Sequence, residues 1–225
     1  MSLELSTTRP TTGNPSDASS LRTWTGRYAA SPGLFEIRPR YLPRDARPVF
    51  DEDMDCIIGY ARRFGLRSHL YDLNGEMFYV REDLSPLPPP QKRDPLVVVG
   101  GLWSDNVRGV TPLGLTGTGA TLPPPVLAQL RNRFAGLAQS SLLYAEAALA
   151  RMNAPQLFVP VHILRLAMRH GEPTGAPPGV RRGARYLARM LIRRQAFMLD
   201  LVTANGNSTV VDFEYWRYAD GVPAA

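Results

Sequence analysis

The dipeptide Asn74-Gly75 is the strongest local constraint on how this chain folds. Asn-Gly is the favoured two-residue connection between antiparallel strands, because both residues tolerate positive φ. The flanking stretches LRSHLYDL and EMFYVRED read as the two arms of a hairpin. Pairing across the turn sets Tyr71 opposite Phe78, Leu70 opposite Tyr79 and Arg67 opposite Glu82. An aromatic pair, an apolar pair and an ion pair all favour that register.

Around the hairpin the pattern predicts mixed elements. Residues 51–64 read as a helix, with Asp51, Glu52, Asp53 and Asp55 in the first turn and Arg62 and Arg63 in the last. Met54, Ile57, Ile58, Ala61 and Phe64 would form its buried stripe. PLPPPQKRDP (86–95) reads as a rigid connector, LVVVGG (96–101) as a buried strand, and 104–122 as irregular. From Pro123 the spacing turns helical through Leu127, Leu130, Phe134, Leu137, Ser141, Tyr144, Ala148 and Met152. A second helix is expected from Pro160 to His170, and a third over 180–203 up to Asn205-Gly206. EPTGAPPG (172–179) is a loop, and STVVDFEYWRY closes the chain as a strand with Val211, Phe213 and Tyr215 on one face.

The expected class is therefore α+β: an N-terminal helix, a β-hairpin and a further strand, then a three-helix block and a C-terminal strand. One domain would span 51–218. A Ser/Thr/Pro-rich tail precedes it at 1–20, a basic aromatic arm at 21–50, and a short tail follows at 219–225.

Composition sharpens the question of partners. The chain has 25 arginines against one lysine, Lys92, and a formal net charge of +6. Codon bias in a GC-rich genome accounts for most of such an excess, and selection against lysine inside a host is the other reading. Positive charge favours anionic partners and says nothing about fold. The single cysteine, Cys56, forbids an intramolecular disulfide, and with three histidines no metal site or cofactor is expected. The start lacks a secretory signal pattern and no apolar run approaches a membrane span. A soluble protein of a reducing compartment is expected, in the cytoplasm of a cell or host or in a virion-like particle.

Arginine placement singles out two elements. On the expected third helix, Arg182, Arg185, Arg189 and Arg193 fall on one stripe suited to phosphates, while Arg194 projects from the apolar face and needs a partner such as Asp212 or Glu214. In the arm, Arg22, Arg27, Arg38 and Arg40 interleave with Trp24, Tyr28 and Tyr41, which suits stacking plus phosphate contact or packing onto the domain. His162, Arg165 and Arg169 share a helix face and read as basic surface. Cys56 and His69 raise a nucleophile reading. Asp53 and Asp55 oppose it, because negative charge raises a thiol pKa, so a core cysteine is preferred.

No phosphate-binding GxxxxGK[ST], GxSxG, HExxH or CxxC is present, and LVVVGGLW lacks the third glycine of a dinucleotide site. The expected element order resembles that of the rRNA N-glycosidases, ribosome-inactivating toxins with a Glu-x-x-Arg pair in a SEAAR-like motif. The nearest string here is AEAALAR, where Glu146 and Arg151 are five apart and point in different directions on a helix. No catalytic residue follows from that resemblance.

The favoured expectation is a non-enzymatic structural or assembly protein, coat-like, nucleoprotein-like or phage-connector-like. It would meet nucleic acid without reading sequence, or neighbouring copies of itself, through its arm and its arginine element. Two alternatives stand beside it: a lysine-poor effector or toxin enzyme acting inside a host cell, and a non-catalytic partner-binding protein.

Overall fold

Antiparallel pairing between sequence neighbours builds most of this molecule. The computed structural model describes residues 21–24, 35–51, 53–54, 56–64, 67–82, 96–99, 102–104, 122–139, 141–176, 178–180, 182–193 and 195–218. The chain opens with β1 (Arg22–Thr23), β2 (Phe35–Glu36), β3 (Arg47–Asp51), β4 (Cys56–Phe64), β5 (Arg67–Tyr71), β6 (Met77–Glu82), β7 (Leu96–Val99) and β8 (Leu102–Ser104). It continues through α1 (Pro124–Ala138), β9 (Leu143–Tyr144), α2 (Glu146–Asn153) and α3 (Val161–His170). It ends with β10 (Glu172–Pro173), β11 (Ala184–Ile192), β12 (Gln195–Ala204) and β13 (Thr209–Arg217). The α+β class holds, with two of the expected helices replaced by strands.

Residues 51–64 are the first correction. Asp51 ends β3 and Cys56 opens β4, an antiparallel pair. Asp51 Oδ1 accepts from the amides of Asp53 (3.0 Å) and Met54 (3.4 Å), so this acidic side chain shapes a turn instead of a helix start. Ile57, Ile58, Tyr60 and Ala61 are all buried, because β4 is covered on both faces. A strand buried on both sides reads as a continuous apolar run, which periodicity alone does not separate from a helix. At Gly59 an added Cβ would lie 2.5 Å from the Tyr71 carbonyl and 2.8 Å from Leu130 Cδ1, so glycine lets α1 rest on the sheet backbone.

The second correction is the expected helix over 180–203, which is the hairpin β11–β12, paired from Ala184↔Thr203 to Ile192↔Gln195. A spacing of four places two residues on one face of a helix and of a strand alike. Arg185 and Arg189 therefore share a face, as the helical reading expected. Arg182 and Arg193 instead fall in turns, at φ 47° and 49°. Third, the helical stretch from Pro123 to Met152 is broken. Leu143 and Tyr144 form β9, parallel to β13, between α1 and α2.

The Asn74-Gly75 hairpin is present as β5–β6, with Leu70↔Tyr79 and Arg67↔Glu82 as expected. Its connection has three residues instead of two. Gly75 donates to the Asp72 carbonyl (3.0 Å), Asp72 to the Glu76 carbonyl (3.0 Å), and Gly75 takes φ 81°. The three-residue connection sets Tyr71 opposite Met77 instead of Phe78, and a bulge at Phe78 restores Leu70 to Tyr79. The strand 96–99, the helix after Pro160 and the strand over 209–217 also stand where the sequence placed them.

Two sheets result. One runs β6-β5-β4-β3-β7-β8, the other β1-β9-β13-β12-β11-β10, with β2 added to β11 at Leu191 and Ile192. Helix α1 packs on β4, α3 packs on β11 and β12, and the two helices pack on each other. The core between them holds Ile58, Tyr60, Leu130, Ile163, Leu164, Met190, Leu199 and Phe213. No helix among the described residues is long and apolar enough to cross a membrane.

Candidate functional site

Strands β11, β12 and β13 have two unlike faces. The inner face carries Ala188, Met190, Leu199, Leu201 and Phe213, all buried toward α3. The outer face is set by the same registers. Across it lie the rows Arg185–Val202–Asp212, Leu187–Asp200–Glu214 and Arg189–Met198–Trp216, followed by Leu191–Ala196. Tyr218 extends the last row, because its amide donates to the Ala196 carbonyl (2.9 Å).

Charge divides this outer face in two. At one end the ions are mutually paired. Arg185 holds the buried Asp200 through Nε (2.9 and 3.1 Å) and Nη2, which raises the guanidinium pKa, with Glu214 adding to that effect. Arg151 on α2 reaches across the sheet edge to Asp212 (2.8 Å). At the other end stand Arg189, whose guanidinium lies over the Tyr218 ring at 5.5 Å, and Trp216, which is 46% exposed. Arg193 at the β11–β12 turn is exposed beside them, whereas Arg217, opposite Phe197 at the end of β13, is exposed on the other face of the sheet. Among the described residues no carboxylate pairs with either.

The turn itself is informative. At the opposite end of the sheet, the β12–β13 connection takes positive φ at Asn205, Gly206 and Asn207 (53°, 66° and 68°), residues that tolerate it. At the basic end the same left-handed region is occupied by Arg193. An arginine there costs roughly 1–2 kcal/mol of backbone strain.

The other expected site residues divide as follows. Arg194, Arg27 and Tyr28 lie outside the described residues. The Asp212 expected to serve Arg194 is held by Arg151, the arginine of the AEAALAR string. Arg165 donates to the Ser141 carbonyl (3.1 Å) and its pKa is lowered by burial, while Arg169 is exposed. His162 does not share their surface. It is buried against the edge of Phe134 at 5.0 Å, and burial pushes its pKa down to about 3.

In the stretch expected as an arm, the described residues contact the body of the molecule and one another. Exposed Arg22 sits on β1, which pairs with β9. The Trp24 indole donates to Asn153 Oδ1 (3.2 Å), and Arg40 lies 3.9 Å from Glu172. Arg38 donates to the Ala46 carbonyl (2.8 Å), and the Tyr41 hydroxyl donates to the Asn74 carbonyl (2.7 Å). The Cys56–His69 pair is not assembled. His69 pairs with Arg62, six residues along β4 from Cys56 and so about 20 Å away. Among the described residues no three His, Cys, Asp or Glu side chains are grouped to hold a metal.

Trp216, Tyr218 and Met198 were missed by sequence reasoning. Their signal was alternation in the last strand: with Phe213 and Tyr215 facing inward, Glu214, Trp216 and Tyr218 must face outward. No protein family, curated protein or solved structure matches this chain.

Proposed function

We propose that this chain is a non-enzymatic structural or assembly protein that holds nucleic acid through the basic, aromatic end of the β11–β12–β13 sheet. Neighbouring copies would line up along the same strand. The observation that carries the reading is exposed Arg193, held like Arg182 in the left-handed turn conformation that the β12–β13 connection gives to Asn and Gly. Strain kept at an exposed residue points to function rather than to folding. Around it, Arg189, Trp216 and Tyr218 supply the guanidinium and aromatic groups that nucleic-acid surfaces use. The net charge of +6 favours the same class of partner.

The test is a salt titration of labelled oligonucleotide binding. Affinity should fall as salt rises, because bound guanidinium groups release counterions. Arg189→Ala and Arg193→Asn should each lower the salt slope by about one. Arg193→Asn should also raise folding stability by about 1 kcal/mol, measured by denaturant unfolding, since Asn tolerates the turn. Binding that ignores salt, or that survives both substitutions unchanged, would overturn the reading.

A further inference from the structure

We infer that the basic end of this sheet accepts unpaired strands in preference to duplex, with Trp216 as the stacking platform. The inference rests on the nucleic-acid reading above and specifies which form of nucleic acid the surface takes.

The geometry carries it. Trp216 stands on the outer face of β13, nearly half exposed, at the end of the row Arg189–Met198–Trp216. Adjacent strands lie about 4.8 Å apart, so the indole and the root of Arg189 are separated by about 10 Å across Met198. The guanidinium of Arg189 is turned onto Tyr218, one row along. Same-face positions on one strand are about 7 Å apart, so Trp216 and Tyr218 are spaced at twice the 3.4 Å step of a stacked duplex strand. Bases within a duplex have their faces covered by neighbours and cannot lie flat on such rings. An unpaired strand can open its stack and present a base face to the indole, as it does on other aromatic sheet surfaces.

Charge agrees with this arrangement. The carboxylates nearest to Trp216 are countered by arginines: Asp200 in the adjoining row is held by Arg185, Asp212 beyond it by Arg151, and Glu36, opposite Leu191, lies 3.7 Å from Arg38, while Glu214 stands exposed one row from Trp216. A nucleic-acid strand laid along the row Arg189–Met198–Trp216 meets Arg189 on that row and Arg193 at the adjoining turn. The recognised chemistry is an exposed base on a phosphodiester chain, which DNA and RNA share.

The experiment compares fluorescence anisotropy of labelled dT20, rU20 and a 20-base-pair duplex with the full chain at one salt concentration. Single strands should bind at least tenfold more tightly than duplex. Trp216→Ala should weaken single-strand binding about tenfold and leave duplex binding within twofold, while Trp216→Phe should keep most of the single-strand affinity. Equal dT20 and rU20 affinities mark the base face as the ligand, and a gap between them assigns the surface to the tighter sugar. Equal affinity for duplex and single strands, or equal losses on both in Trp216→Ala, would overturn this inference and leave the salt-dependent reading intact. Absence of binding to all three probes would overturn both.

Discussion

His162 sits in the first turn of α3 with its ring against the edge of Phe134, inside the contact between α1 and α3. Burial holds it neutral and moves its pKa to about 3. The unfolded chain binds a proton here below about pH 6.5, whereas the folded protein does not. Folding stability from this residue is therefore complete above pH 6.5 and is lost as pH falls toward 3, by up to about 1.4 kcal/mol per pH unit. His162→Leu removes the titrating group while keeping an apolar side chain. Denaturant unfolding between pH 7 and 4 should show a shallower acid slope in this variant than in the parent chain. Equal slopes would mean that His162 does not govern acid stability. The residue was legible as a histidine on a helix, yet its direction was not. Its spacing to Arg165 and Arg169 suggested surface, while the buried neighbours Val161, Ile163 and Leu164 show that the start of α3 is enclosed on most sides.

At the scale of elements, Asp51 shows why the first helix was misread. An acidic run before an apolar run has the charge pattern of a helix start. In the fold Asp51 is fully buried, caps the turn after β3, and receives two hydrogen bonds from Arg131 of α1 (2.6 and 2.9 Å). That partner is 80 residues away, and nothing local announces it. The same holds for β11–β12, whose arginine spacing of four fits helix and strand equally, so long-range pairing decided the element. By contrast, Asn74-Gly75, the Pro160 helix start and the STVVDFEYWRY pattern are local signals, and each produced its element, although a bulge opposite Val202 and Thr203 puts Val210 instead of Val211 on the face of Phe213. The site divides similarly: Arg189 and Arg193 were visible as charge, whereas the placement of Arg189 on the row of Trp216 and over Tyr218 depended on strand register. Asp51→Ala should cost about 3 kcal/mol in denaturant unfolding, because it strands the Arg131 guanidinium and the turn amides. Asp51→Asn keeps the turn acceptor and should recover part of that loss. If Ala and Asn are equally mild, the Arg131 contact is a surface ion pair in effect and does not anchor α1 to the sheet.

At the scale of the whole molecule, residues 35–46 join the two sheets. β2 adds to β11 of one sheet, and the chain then runs to β3 of the other. Along it Ile37, Leu42 and Ala46 are buried, and the Tyr60 hydroxyl of β4 donates to the Ile37 carbonyl (3.3 Å). Arg38 organises this crossing. It lies over the Tyr60 ring at 5.5 Å, 3.7 Å from Glu36, and donates to the Ala46 carbonyl. The Glu36 side chain is only 10% exposed, and burial raises its pKa while Arg38 and Tyr60 pull it back down. A raised carboxyl pKa favours the protonated form in the fold. Stability from Glu36 is therefore greatest below its unfolded pKa near 4.3 and declines as pH rises through the folded value. Glu36→Gln should then stabilise the protein at pH 7, with the gain vanishing near pH 4. Arg38→Ala should destabilise at pH 7 by about 2 kcal/mol, since it removes a charged hydrogen bond and leaves Glu36 without its counter-charge. In the double variant the Glu36 part of that loss disappears, so the two substitutions must be non-additive at pH 7 and additive near pH 4. Strict additivity at both pH values would show that Arg38 holds the crossing through the Ala46 carbonyl and the Tyr60 ring alone, with no electrostatic share from Glu36.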